Sequence, residues 1–314
     1  MSPTTLARGR LADHPVWSKA LAAPELGGRL IQPVVVSARV EDRERLGDAP
    51  WLERISLTEL VRDARSASAA GVAGFLLLAA SDRKDELALI ASERDHIVPR
   101  AIRALKDAVP DLAVATDVCV CAYTPHGQCV LFAEGSASVD GTLQRLAEIA
   151  SVHAEAGADL LVPSGMLEGS VRALREAVAA SGRPDLAIAG VVKIESALYA
   201  SDRAVSEMVN IDERAVPLIP VADREAARAR AAKDVAAGAD AVIVTPALLG
   251  LDIVSAIASS ADRPVIALFT ADEHGLLARS ENGIDAIVAE REMFAAARRA
   301  GADLIVSYGA RSVL

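Results

Sequence analysis

Aromatic side chains are nearly missing from this chain, at 3% of 314 residues. A protein that stacks nucleobases needs exposed aromatic platforms, and this sequence has almost none to offer. Excess positive charge is missing too. The formal net charge is −10, which argues against a polyanion such as nucleic acid, or an anionic membrane surface, as partner. The longest apolar run, Val72 to Ala80, is far shorter than the roughly 20 residues that span a bilayer, and Met1-Ser2-Pro3-Thr4 has no export-signal pattern. No low-complexity linker divides the chain, and the five histidines, at 14, 96, 126, 153 and 274, show no metal-ligand spacing. Cysteine is limited to three residues and lysine to five. The expectation is a cytoplasmic protein with reduced thiols.

What is abundant is Ala, Val, Leu and Ile, arranged in an internal repeat. Ala70-Gly71-Val72-Ala73-Gly74-Phe75, Ala156-Gly157-Ala158-Asp159-Leu160-Leu161, Ala237-Gly238-Ala239-Asp240-Ala241-Val242 and Ala300-Gly301-Ala302-Asp303-Leu304-Ile305 share one design. Each reads as the end of an Ala-rich helix, a Gly suited to a left-handed C-cap, and a short apolar strand. Continuous apolar strands alternating with helices imply a parallel sheet buried on both faces. Further strands fit Leu30–Ser37, Leu112–Thr116, Leu186–Lys193, Val216–Val221 and Pro264–Thr270, and a helix with Ser56 as N-cap fits residues 57–70. That makes nine candidate strands where a closed barrel needs eight, and Val216–Val221 is the weakest. A single (β/α)8 TIM barrel over residues 29–314, preceded by an N-terminal arm or surface helix over 1–28, is the expected architecture. A doubly wound open sheet is the runner-up, but no G-x-G-x-x-G follows the first strand.

The three cysteines lie within thirteen residues, Asp117-Val118-Cys119-Val120-Cys121-Ala122-Tyr123-Thr124-Pro125-His126-Gly127-Gln128-Cys129. Three thiolates from one turn match a tetrahedral Zn2+ site with its fourth position open to water or substrate. The alternative is three small, buried apolar cysteines. In a barrel, chemistry sits at the carboxyl ends of the strands. Seven residues beyond each repeat Gly stand Leu78, Ser164, Thr245 and Tyr308, and the strand before the thiols delivers Asp117. Lys193 closes an apolar run, where partial desolvation favours the neutral amine that imine formation with a ketone requires. A snorkelling surface lysine is the competing reading. Arg203 and Arg214 follow, suited to clamping carboxylates although each is also an ordinary surface arginine.

These segments, in this order, resemble the porphobilinogen synthase (δ-aminolevulinic acid dehydratase) family from about residue 28 onward. The carriers are Asp117 to Cys129 with the three-cysteine spacing, Ala156 to Met166, Pro246-Ala247-Leu248 with Leu251-Asp252-Ile253, and Arg299 to Tyr308. The resemblance implies a zinc-dependent hydro-lyase that condenses 5-aminolevulinate into a pyrrole through imines on two lysines. It assigns zinc to Cys119, Cys121 and Cys129, the first imine to Lys193, and the zinc-side substrate to Arg203 and Arg214 beneath a mobile lid. Tyr308 matches the residue that binds the carboxylate of the other substrate. It also implies a homo-oligomer built through the arm. The chain departs from the family where Val244-Thr245-Pro246-Ala247 replaces the segment of the second lysine, where Ala271 replaces a serine, where Gly165 to Ser170 replaces Asp-Met-Met-Asp-Gly-Arg, and where Ala200-Ser201-Asp202 replaces Gly-Pro-Phe.

The expectation drawn from both lines is a condensing or dehydrating lyase on 5-aminolevulinate or a similar amino keto acid. The acid would be held as an imine on Lys193, with Asp117 and Tyr123 or Ser164 handling protons. A second reactant would bind non-covalently near Thr245 and Tyr308. The alternatives are genuine porphobilinogen synthesis for tetrapyrrole supply, and a non-catalytic relative that binds zinc or a small ligand.

Overall fold

A computed structural model describes residues 9–47, 49, 51–207, 215–279 and 283–314. Eight parallel strands close into a barrel: β1 (Leu30–Val36), β2 (Gly74–Ala79), β3 (Ala113–Asp117), β4 (Leu160–Val162), β5 (Ala187–Lys193), β6 (Ala241–Thr245), β7 (Val265–Leu268) and β8 (Leu304–Val306). Closure is made by β8 on β1, with Leu30 opposite Ile305 and Ile31 opposite Val306. The helices in chain order are α1 (Gly9–Asp13), α2 (Pro15–Ala22), α3 (Leu57–Ala69), α4 (Ile97–Ala108), α5 (Val139–Ala156), α6 (Ser170–Ala180), α7 (Ala200–Ser206), α8 (Arg224–Ala236), α9 (Leu251–Ser260), α10 (Ala271–Ala278) and α11 (Ala286–Ala300). None of them, among the described residues, is long and apolar enough to cross a membrane. The fold is the expected (β/α)8 barrel.

The ninth candidate strand does not join it. Val216–Val221 makes only an isolated bridge, Ile219 on Ile194, and Val221 is exposed. A short pair, Arg43–Arg45 and Glu53–Ile55, extends the sheet outside β1.

The repeat acts at both of its conserved-looking letters. Gly157 and Gly301 end α5 and α11 with φ of 102° and 112°, a left-handed conformation that a side chain disfavours. The aspartates two residues on reach across to the neighbouring strand. Asp159 accepts the Val114 N–H (2.8 Å), Asp240 that of Ile188 (3.0 Å) and Asp303 that of Val265 (3.0 Å). Each carboxylate thereby satisfies a donor at the start of the strand that precedes its own in the chain, where the ladder begins. Ser56 caps α3 as expected, accepting the Glu59 N–H.

The barrel interior is lined by small residues, including Ala113, Ala115, Ala187, Ala189 and Ala241. Leu11, Trp17 and Leu21 from α1 and α2 pack into that same cluster and fill its floor. His14 bonds Asp159 (3.0 Å), Trp17 donates to the Asp159 carbonyl (3.2 Å), and Arg10 pairs with Asp240 (3.1 Å). Over residues 9–22 the N-terminal segment is therefore a plug, buried more deeply than a surface helix. With the amino end sealed, the pocket lies at the other mouth.

Candidate active site

A cavity of about 130 Å³ opens at the carboxyl ends of the strands. Its polar lining comprises Asp117, Cys121, Cys129, Ser164, Lys193, Arg203, Thr245 and Tyr308, all singled out from sequence, and Tyr199, Asp202 and Ser206, which were not given roles. Leu76, Val162, Val191 and Ile243 form its apolar base. Arg214 lies outside the described residues.

Strand register explains the first set. Each strand rises about 3.3 Å per residue, so a fixed count from the preceding Gly brings a fixed level of the barrel to the mouth. At that level Lys193, last residue of β5, stands directly opposite Thr245, last residue of β6. Lys193 is the only lysine among the described pocket residues, and its Nζ lies 4.6 Å from the centre of the Tyr199 ring. Cation–π attraction at that distance orients the amine. The Lys193 N–H also meets the Met166 sulfur at 3.2 Å. Thr245 Oγ1 is buried without a hydrogen-bond partner.

Asp117 ends β3, and burial pushes its carboxyl up to about 7, against the opposing effects of a Ser164 hydrogen bond and the Lys193 charge. Its Oδ1 is buried and unpartnered. Tyr123, expected beside it, is not in the lining. The one-turn helix Cys121–Tyr123 rotates the ring outward into the shell between strands and helices, 5.2 Å from the His96 ring. Burial, then the nearby charges of Asp117 and the thiols, hold the phenol far above its ordinary value, so it is a poor proton carrier.

The three cysteine Sγ atoms lie within 4.8 Å of one another, the spread of a common metal site. Cys119 is buried behind, while Cys121 and Cys129 face the cavity, so a ligand position on the cavity side stays open. Hydrogen bonds that the Cys119 S–H donates toward Cys121 and Cys129, with burial and mutual repulsion, hold that thiol well above its ordinary range, so a cation is needed to form the thiolate cluster. Gly165 backs the cluster: a Cβ there would come within 3.0 Å of the Cys129 Cβ and 3.6 Å of the Cys119 sulfur. The donor set, the spacing and this clearance fit a soft-ligand metal.

One wall of the pocket is α7, which carries Asp202, Arg203 and Ser206. Its amino end is tied to α10 by Asp272, which accepts the Ser201 N–H (2.9 Å) and hydroxyl (2.6 Å). At its carboxyl end Glu207 pairs with Arg39 and Lys84, both at 2.9 Å. Tyr199 and Asp202 escaped the strand-end count because their element is a helix laid across the mouth. The one available signal was the rarity of tyrosine, six residues after Lys193.

Comparison with known proteins gives a consistent picture. The family model described as delta-aminolevulinic acid dehydratase matches residues 10–314. The chain is 32% identical to delta-aminolevulinic acid dehydratase of Archaeoglobus fulgidus, over 95% of this chain and 92% of the relative. It is 33% identical to that of Escherichia coli, over 89% and 87%. The crystal structure of the enzyme from Toxoplasma gondii, in complex with its reaction product porphobilinogen, superposes with a TM-score of 0.88 at 28% identity, covering 100% of this chain and 91% of that one. With the barrel, the thiol cluster and the strand-end lysine in place, the chain belongs to the delta-aminolevulinic acid dehydratase family.

Proposed function

We propose that the protein is a lyase of the porphobilinogen synthase type, which binds 5-aminolevulinate as an imine on Lys193 and condenses it with loss of water. The carrying observation is Lys193 itself: one amine at a strand end, fixed over Tyr199 and facing the same cavity as the thiols. The relatives from Archaeoglobus fulgidus and Escherichia coli, both delta-aminolevulinic acid dehydratases, support the substrate and favour porphobilinogen as product over a changed second substrate. Cys119, Cys121 and Cys129 would hold zinc, which when bound supplies Lewis acidity toward a ketone or amine at its open position. Arg203 would clamp the substrate carboxylate, and Arg214 is assigned the same task by resemblance. Asp117, which lines the cavity with Ser164, Lys193 and two of the thiols, would pass protons at the condensing carbon and the departing oxygen. Tyr308 and Thr245 would contact the second reactant.

Thr245 favours a second reading. A threonine cannot form an imine, so the second reactant is held non-covalently, and a partner other than a second aminolevulinate becomes possible chemically. Both readings are tested together by intact-protein mass spectrometry after 5-aminolevulinate and borohydride, on wild type and Lys193→Ala, alongside an assay for porphobilinogen. A wild-type adduct absent from the variant, with pyrrole from aminolevulinate alone, is the expected result. An adduct without pyrrole selects a different second reactant. No adduct with any keto acid removes the lysine chemistry and leaves a binding protein.

A further inference from the structure

Glu290, on α11, stands outside the cavity and is 4% exposed. Burying a carboxylate costs stability that an apolar side chain of equal size does not, so its partners ask for a reason. It accepts the Ser307 hydroxyl at 3.0 Å and meets His274 Nδ1, from α10, at 2.9 Å. It also packs against Gly309, where any Cβ would collide with both carboxylate oxygens. Ser307 and Gly309 are in turn joined, since the Ser307 hydroxyl accepts the Gly309 N–H at 3.1 Å. The residue between them is Tyr308, which lines the cavity. A second clamp on the same turn comes from β1: Gln32 donates to the Tyr308 carbonyl at 3.0 Å and accepts the Arg311 N–H at 3.3 Å. The turn that carries Tyr308 off the end of β8 is thus held twice, once by a buried carboxylate from a helix outside the barrel.

We propose that Glu290 is a positioning residue for Tyr308: through Ser307 and Gly309 it fixes the turn, and so sets where the Tyr308 hydroxyl stands toward the second reactant. The inference rests on the reading of Tyr308 as a contact of that reactant. Because Glu290 does not line the cavity, its loss acts only through the turn. A misplacement of about 1 Å in a reacting geometry can cost on the order of 100-fold in rate, so a bond remote from the chemistry has leverage.

Glu290→Met keeps the length of the side chain and removes the acceptor, whereas Glu290→Gln keeps an acceptor for Ser307. The chain has three tyrosines, so the zinc-loaded protein labelled with fluorotyrosine gives three fluorine resonances, and Tyr308→Phe assigns that of Tyr308. Glu290→Met should shift this resonance and leave those of Tyr123 and Tyr199 in place, and Glu290→Gln should return it toward the wild-type position. Porphobilinogen formation from 5-aminolevulinate should fall at least about tenfold in Glu290→Met and less than about threefold in Glu290→Gln. Levulinate and borohydride should still label Lys193 fully in both. In a Tyr308→Phe background Glu290→Met should cost less than about twofold more, because its effect passes through the hydroxyl already removed. An unmoved Tyr308 resonance in a folded Glu290→Met, or losses that multiply in the double variant, overturns the proposal. Should Glu290→Met not fold, Gly309→Ala, whose Cβ displaces the carboxylate, must move the same resonance. A wild type that makes no pyrrole overturns the functional reading instead, and the fluorine spectra then decide the positioning alone.

Discussion

At the scale of single residues, the thiol cluster and the Lys193–Thr245 pair make separable predictions. Cys119 and Cys129 stand on loop backbone at the barrel mouth and Cys121 opens a one-turn helix there; the apolar clusters take in their neighbours Val118, Val120 and Ala122 but none of the three cysteines. Replacing Cys121 by Ser should therefore lower bound zinc, read by elemental analysis, while the melting temperature of the metal-free protein moves by no more than a few degrees. Global unfolding of that variant would make the metal structural. Thr245→Lys puts a second amine opposite Lys193 on the adjoining strand. The wild type should take up one borohydride-dependent adduct and the variant two, counted by mass. A single adduct in both would mean that the position does not face substrate. These strand-end residues were legible because a repeated Gly fixes the register of each strand, and register fixes what reaches the mouth. Tyr123 was misplaced for the converse reason: one turn of helix after Cys121 rotates successive side chains away from any count along a strand.

At the scale of elements, the plug formed by α1 and α2 was the least legible part. Residues 9–22 have weak helical periodicity because Leu11, Trp17 and Leu21 point into a barrel floor and do not lie along another helix. The clue is found elsewhere, in the alanines of β3, β5 and β6, which leave the interior too small to fill itself. Trp17 has 0% exposure and spends its indole N–H on the Asp159 carbonyl. Trp17→Ala should cost about 3–5 kcal/mol, in the range of a buried aromatic truncated to a cavity, although it lies far along the barrel axis from the chemistry. Denaturant melts measure the loss. A change below about 1 kcal/mol would mean that the segment rests on the surface and that the barrel closes its own floor. The wall helix α7 is readable only in outline from sequence, since which of Asp202, Arg203 and Ser206 faces inward depends on anchors at Asp272, Arg39 and Lys84 that are distant in the chain.

At the scale of the whole molecule, buried titratable groups set how stability responds to pH. His153 is enclosed at the outer face of β3, 3.1 Å from the Thr116 hydroxyl, and burial lowers its pKa to about 3. Burial likewise lowers His96 to about 4. In the unfolded chain both take a proton near 6.5, so the unfolded state binds more protons below that pH, and stability falls as the pH drops from about 6.5 toward 4. Glu273 acts in the opposite sense. Burial raises it to about 7 against bonds from the Thr270 and Leu248 amides, so the folded chain keeps a proton that the unfolded chain gives up near 4.5. Its contribution is present below 4.5 and is lost as the pH rises through 7. Between about 4.5 and 6.5 the two histidines therefore oppose Glu273 and Asp117, whose carboxyl burial likewise raises to about 7, and the absolute slope is a sum of several groups. A difference between variants isolates one of them. His153→Gln removes one proton uptake, which should flatten the dependence of unfolding free energy on pH between about 6 and 4 by about 1.4 kcal/mol per pH unit relative to wild type. Denaturant melts at intervals across that range measure both slopes. Parallel curves would show that His153 is protonated equally in the folded and unfolded chains, and that its enclosure by β3 and α5 is looser than the packing indicates.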